Sequence, residues 1–104
     1  MRRGEIWWAD LPPPAGRRPV LLVSRHEAYA VRELVLVAPV TTRMRGIPTE
    51  VPLDKKDGLP KRCVVNADTL TTVPKRCLSN RVVALSAAKL REVDAALKFA
   101  LGLD

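Results

Sequence analysis

Short apolar runs alternate with polar connectors rich in proline and glycine along this chain until residue 86, where the spacing of apolar positions changes to that of a helix. From Gly4 to Leu11 the pattern predicts a strand, with Ile6, Trp8 and Asp10 on one face and Trp7, Ala9 and Leu11 on the other. The two adjacent tryptophans are therefore divided, one entering the core and one serving the opposite face. Residues 12–17 form a stiff, proline-rich loop, and Pro19 to Ser24 a second strand, entered through a proline that suits a strand's start. Arg25 to Glu33 is a polar connection with room for a helical turn. Leu34 to Thr42 is a third strand, and it tolerates Pro39 only at an edge or bulge. A basic turn, Arg43 to Pro48, leads to a short returning strand, Thr49 to Leu53. The charged residues 54–62 make a loop carrying both breakers. Cys63 to Thr69 is a further strand, Pro74 opens a helical turn through Leu78, and Arg81 to Leu85 is the last strand. Ser86 then caps a helix whose stripe is Leu90, Val93, Leu97, Ala100 and Leu101, stopped by Gly102. Asp94 and Lys98 are spaced for an ion pair on its exposed side. Phe99 falls outside the stripe and, with Ala95 and Ala96, is a candidate subunit contact.

Several short strands closed by one amphipathic helix predict an α+β, mainly β chain: a small, strongly bent antiparallel sheet or barrel with a packed C-terminal helix. At 104 residues this is one domain, 1–104, with a modest core. Charge sharpens the picture. The formal net charge is +7, and because residues 86–104 are neutral the whole surplus lies in residues 1–85. Such a body suits a polyanion, nucleic acid first and an acidic protein second. A solubility surface explains the charge equally well.

Met1-Arg2-Arg3 leads into Gly4-Glu5 and not into an apolar segment, and no run is long enough to span a bilayer, so a cytoplasmic protein with no membrane partner is expected. Cys63 and Cys77 lack CxxC spacing and companion histidines, which favours two structural thiols over a metal site. His26 has no nucleophile or orienting carboxylate at suggestive spacing.

Binding chemistry gathers where loops meet the rigid strands. Arg17 and Arg18 stand at the mouth of the second strand, and the third ends in Thr41, Thr42 and Arg43. If those strands are neighbours, Arg18 and Thr41 face one pocket. Residue chemistry alone stops at a basic barrel with an Arg/Thr pocket.

Five stretches, in order over nearly the whole chain, extend this reading: Gly4-Glu5-Ile6-Trp7-Trp8-Ala9-Asp10-Leu11, Arg18-Pro19-Val20-Leu21-Leu22-Val23-Ser24, Ala38-Pro39-Val40-Thr41-Thr42, Val65-Asn66-Ala67-Asp68-Thr69-Leu70, and Ala95-Ala96-Leu97 through Leu101-Gly102-Leu103. As an ordered set they resemble the MazF/PemK toxins. The resemblance implies an SH3-like, CcdB/PemK-type barrel and a homodimer. It also implies a sequence-specific endoribonuclease of a type II toxin–antitoxin system that needs no metal or other cofactor. Single-stranded RNA is the implied substrate, and an antitoxin with an acidic, extended tail the implied neutralising partner. Two other functions fit the same barrel: a CcdB-like gyrase inhibitor and a nucleic-acid-binding module without catalysis.

Carried over from the resemblance, Arg18 matches the catalytic arginine and Thr41 the catalytic threonine. The loop holding Pro14, Gly16 and Arg17 corresponds to a substrate-covering loop, here short and proline-rich. Thr42 and Arg43 are candidate phosphate or base contacts, and Asp68 and Thr69 candidate base contacts; ordinary strand-end polarity is the competing explanation for these four. The implied chemistry is attack of a ribose 2′-hydroxyl on the adjacent phosphorus, leaving 2′,3′-cyclic phosphate and 5′-hydroxyl ends.

Overall fold

The apolar runs pair as seven antiparallel strands in a computed structural model that describes residues 1–103. They are β1 (Glu5–Asp10), β2 (Arg17–Leu22), β3 (Leu34–Thr41), β4 (Glu50–Leu53), β5 (Cys63–Asn66), β6 (Thr71–Pro74) and β7 (Leu78–Ala84). A short α1 (Ala28–Val31) lies in the polar connector, and α2 (Ala87–Leu101) ends the described chain. Strand order is β4-β5-β3-β2-β1-β7, with β6 also paired to β3.

Both faces of this bent sheet are buried, which is why its strands read as nearly unbroken apolar runs. On β2 and β3, Leu21, Ala38 and Val40 join a core with Ile6, Val51, Leu53, Val65 and Val93 under α2. Their neighbours Val20, Leu22, Val35 and Val37 join a second core with Ala9, Tyr29, Val73 and Leu78. The alternation predicted for β1 holds: Ile6 enters the first core, while Ala9 enters the second with Trp7 and Leu11 packed against it. Pro39 sits where β3 changes partner, from β6 at Leu34–Val37 to β5 at Val40–Thr41, so its missing N–H costs no ladder bond on that side. Pro52 lies on β4, at the sheet's edge.

Several local expectations change. Arg17 and Arg18 belong to β2, because antiparallel pairing with Asp10 and Ala9 continues the strand past Pro19. Thr71–Pro74 is a strand, held by Val35 and Leu36 of β3, where the sequence pattern showed none. The turn after Pro74 is a 3-10 turn, Lys75–Cys77, and the last strand already starts at Leu78. On α2, Ser86 accepts from Lys89 N at 3.1 Å and Gly102 takes the left-handed C-cap conformation. The buried stripe is turned slightly from expectation: Ala96 is inside and Leu101 is 57% exposed. Asp94 pairs with Arg3 at 2.7 Å and not with Lys98, since the docked helix brings it to the N-terminal segment. Phe99 remains exposed.

Candidate functional site

The register between β2 and β3 sets the site. The β2–β3 pairing ends at Val20 and Pro39, and Arg18 and Thr41 each lie two residues beyond it, at the same end of these neighbouring strands. Both residues line a cavity of about 310 Å³, together with Trp8, Ala15, Arg17, Pro19, Val40 and Thr42. The loop between β4 and β5 supplies Leu59, Pro60 and Lys61, with Cys63 and Val82 completing the wall. The cavity is thus apolar in its depth, with three cations and two hydroxyls around it.

Arg18 donates through Nε to the carbonyl of Ala15 at 2.7 Å, which ties the guanidinium to the proline-rich loop. Among the described residues Arg18 forms no ion pair, so its charge is not consumed within the fold. Arg17 is held differently. It donates to Asp10 Oδ1 at 3.1 Å and Ser79 Oγ at 3.3 Å, and its guanidinium lies 4.9 Å from the centre of the Trp8 ring. Thr41 Oγ1 accepts from the Arg43 amide at 3.2 Å, a local turn that leaves its hydroxyl proton available.

Outside the cavity, β1 begins with a buried carboxylate. Glu5, 7% exposed, accepts from Trp7 Nε1 at 3.0 Å, Arg2 N at 3.0 Å and Arg81 at 3.3 Å. Burial alone would raise its carboxyl pKa. The three donors and the N-terminal ammonium outweigh it and hold the carboxyl below its ordinary value. Cys63, in the cavity wall, has its thiol pushed up by burial and by Asp57 and Asp54, which makes it a poor nucleophile. Burial also pushes Tyr29 up to about 12, away from the cavity, where it donates to Ser24 O.

Of the residues singled out from sequence, Arg17, Arg18, Thr41 and Thr42 meet in the cavity, and Pro14, Gly16 and Arg43 lie beside lining residues without lining it. Asp68 and Thr69 lie outside it, in the turn after β5, where Asp68 Oδ2 accepts from Thr49 Oγ1 at 2.6 Å. Lys61 and Trp8 were not foreseen as lining residues. Lys61 belongs to the charged run 54–62, whose composition marks a loop but not its place in space.

A small bent barrel with a cationic, hydroxyl-bearing cleft at one end of its central strands is the class of protein that fold and site define. Residues 2–101 match the family of PemK-like, MazF-like toxins of type II toxin–antitoxin systems, and the chain belongs to that family. It is 39% identical over 100 residues to the probable endoribonuclease MazF5 of Mycobacterium tuberculosis, covering 95% of this chain and 91% of that protein. The structure of the Mycobacterium tuberculosis toxin MazF-mt6 superimposes with a TM-score of 0.88 at 35% identity, over 96% of this chain and 98% of that one. A mycobacterial endoribonuclease solved in complex with its cognate antitoxin gives 0.89 at 32% identity, over 100% and 97%. The barrel and helix expected from sequence are the fold of these neighbours.

Proposed function

We propose that this toxin is an endoribonuclease that cuts single-stranded RNA at specific sequences without a metal ion, leaving 2′,3′-cyclic phosphate and 5′-hydroxyl ends. The observation that carries this reading is the placement of Arg18 and Thr41, at the same end of two neighbouring strands, in the wall of one cationic cavity. The names of its relatives and its membership of a toxin–antitoxin family support the same conclusion.

In the reaction, the ribose 2′-oxygen forms a bond to phosphorus as the bond to the 5′-oxygen breaks. The 2′-hydroxyl loses its proton and the departing 5′-oxygen gains one. Negative charge grows on the nonbridging oxygens, and Arg18, anchored through Nε, offers its remaining N–H groups to them. A guanidinium carries no acceptor and gives up its proton only reluctantly, so Arg18 serves as electrostatic stabiliser and proton donor more readily than as a base. The Thr41 hydroxyl holds a phosphate oxygen or the attacking group. Because the nucleophile is part of the substrate, orientation supplies much of the rate. Thr42, Arg17 and the loop around Pro14 and Gly16 hold the flanking strand, with Arg43, Asp68 and Thr69 reading it further out. The working form is a cytoplasmic homodimer, silenced by an antitoxin whose acidic extended tail occupies the cationic cleft.

Substituting Arg18 or Thr41 by alanine tests the assignment. Each variant is expected to lose 100-fold or more in cleavage rate, on the order of the loss when one transition-state donor is removed. The circular dichroism spectrum should be unchanged. Wild-type turnover by either folded variant removes that residue from the mechanism.

A further inference from the structure

We propose that Lys61 is a second phosphate-holding group of the cavity, one that grips the phosphate next to the scissile one and thereby positions the RNA strand; this rests on the ribonuclease reading above. The loop that presents it is built to a fixed shape. Asp54 Oδ1 accepts from Lys56 N at 2.8 Å, and Asp57 Oδ2 accepts from Asp54 N at 3.0 Å, closing a reciprocal cap over a 3-10 turn, Lys55–Asp57. Gly58 follows with φ +94°, packed so closely that a Cβ would stand 2.7 Å from Val83 Cγ2. Leu59, 5% exposed, is anchored in the core, and Pro60 stiffens the step to Lys61 in the cavity wall.

Lys61 carries its charge into the cavity without a partner. Of the three basic residues that line the cavity, Arg17 is paired with Asp10, whereas Arg18 and Lys61 form no ion pair among the described residues. Its place in the sheet order separates its task from that of Arg18. Arg18 lies on β2 and Thr41 on β3, while Lys61 leads into β5, the neighbour of β3 on its other side, where Thr41 opposes Val64. Adjacent strands lie about 4.8 Å apart, so the backbones of β2 and β5, with β3 between them, are separated by up to about 10 Å. A hydrogen bond to one phosphate oxygen reaches about 3 Å. A cation on β2 and a second on the loop entering β5, in the wall of one cavity on either side of β3, suit two successive phosphates.

The test uses a mixed-sequence 20-nucleotide strand, 2′-O-methylated throughout so that it has no attacking hydroxyl, and measures its affinity as a function of salt. Lys61→Ala is expected to bind about 3- to 10-fold more weakly, with the slope of log affinity against log salt reduced by about 0.7, the value for one phosphate contact on a single strand. Lys61→Arg should restore both. Lys56→Ala, exposed on the same loop but outside the cavity, should change neither. With cleavable RNA, Lys61→Ala should raise KM and leave kcat within about 3-fold, as expected when ground and transition states lose the same contact. A wild-type salt slope in Lys61→Ala, an equal loss in Lys56→Ala, no binding of the strand by the wild type, or a 100-fold fall in kcat at constant KM would each overturn the proposal. Wild-type protein that binds this strand yet cuts no RNA overturns the ribonuclease reading instead.

Discussion

At the scale of single residues, charge is managed in two ways. Arg18 and Lys61 form no ion pair among the described residues, whereas the Glu5 carboxylate is engaged inside the fold by Trp7, Arg2 and Arg81. Because the Glu5 carboxyl is held below its ordinary value, its contribution is fully present above the unfolded pKa, near 4.5, and is lost as pH falls through the lower folded pKa. Thermal unfolding followed from pH 7 to pH 3 should show Glu5→Gln less acid-sensitive than wild type in that window. Glu5→Ala, which strands the indole N–H, should cost about 1–3 kcal/mol at pH 7. Identical acid profiles for Glu5→Gln and wild type would show that the carboxylate adds no such stability. Cys63 offers a parallel check in the cavity. Its raised thiol pKa and burial predict slow alkylation at pH 7.5, with Cys77 modified first; mass mapping showing equal rates would contradict this.

Elements show where sequence reading succeeds. The central strands were legible because their apolar runs are nearly continuous, and α2 because Ser86 and Gly102 mark its ends. The Thr71–Pro74 strand was not: its short, polar sequence earns its conformation from β3, and local preference says nothing about a partner distant in sequence. The Asp94–Lys98 spacing misled for the same reason, since Arg3 reaches Asp94 only once the helix has docked. In the site, Arg18 and Thr41 were legible from the ends of their strands, but Lys61 was not, because a loop's charge does not announce which wall it will form. Two substitutions probe these elements. Ser86→Ala should cost about 1 kcal/mol through loss of the N-cap, measured by denaturant unfolding. Gly58→Ala should cost more than about 1 kcal/mol, since it combines a positive φ with the Val83 contact, and it should raise KM for RNA by displacing Lys61. Wild-type stability and KM in Gly58→Ala would show that the loop yields freely.

Over the whole molecule, a +7 chain gathers three cations around a cleft at the end of its central strands and buries both faces of its sheet to hold them there. Net charge favours a polyanion at the surface, and in the proposed function the strand ends carrying Arg18 and Thr41 are where it reacts. RNA affinity should therefore fall steeply with salt, while discrete cutting depends on Arg18 and Thr41. The proposed homodimer should elute at twice the chain mass in light-scattering chromatography; a monomer at micromolar concentration would contradict it. The most direct measurement is to incubate purified protein with long mixed-sequence RNA in excess EDTA and map the cut positions and their ends. Discrete cuts bearing 2′,3′-cyclic phosphate and 5′-hydroxyl termini, absent with Arg18→Ala, are the predicted result. RNA left intact in EDTA but cut when magnesium is added, or left intact in both, would contradict the account.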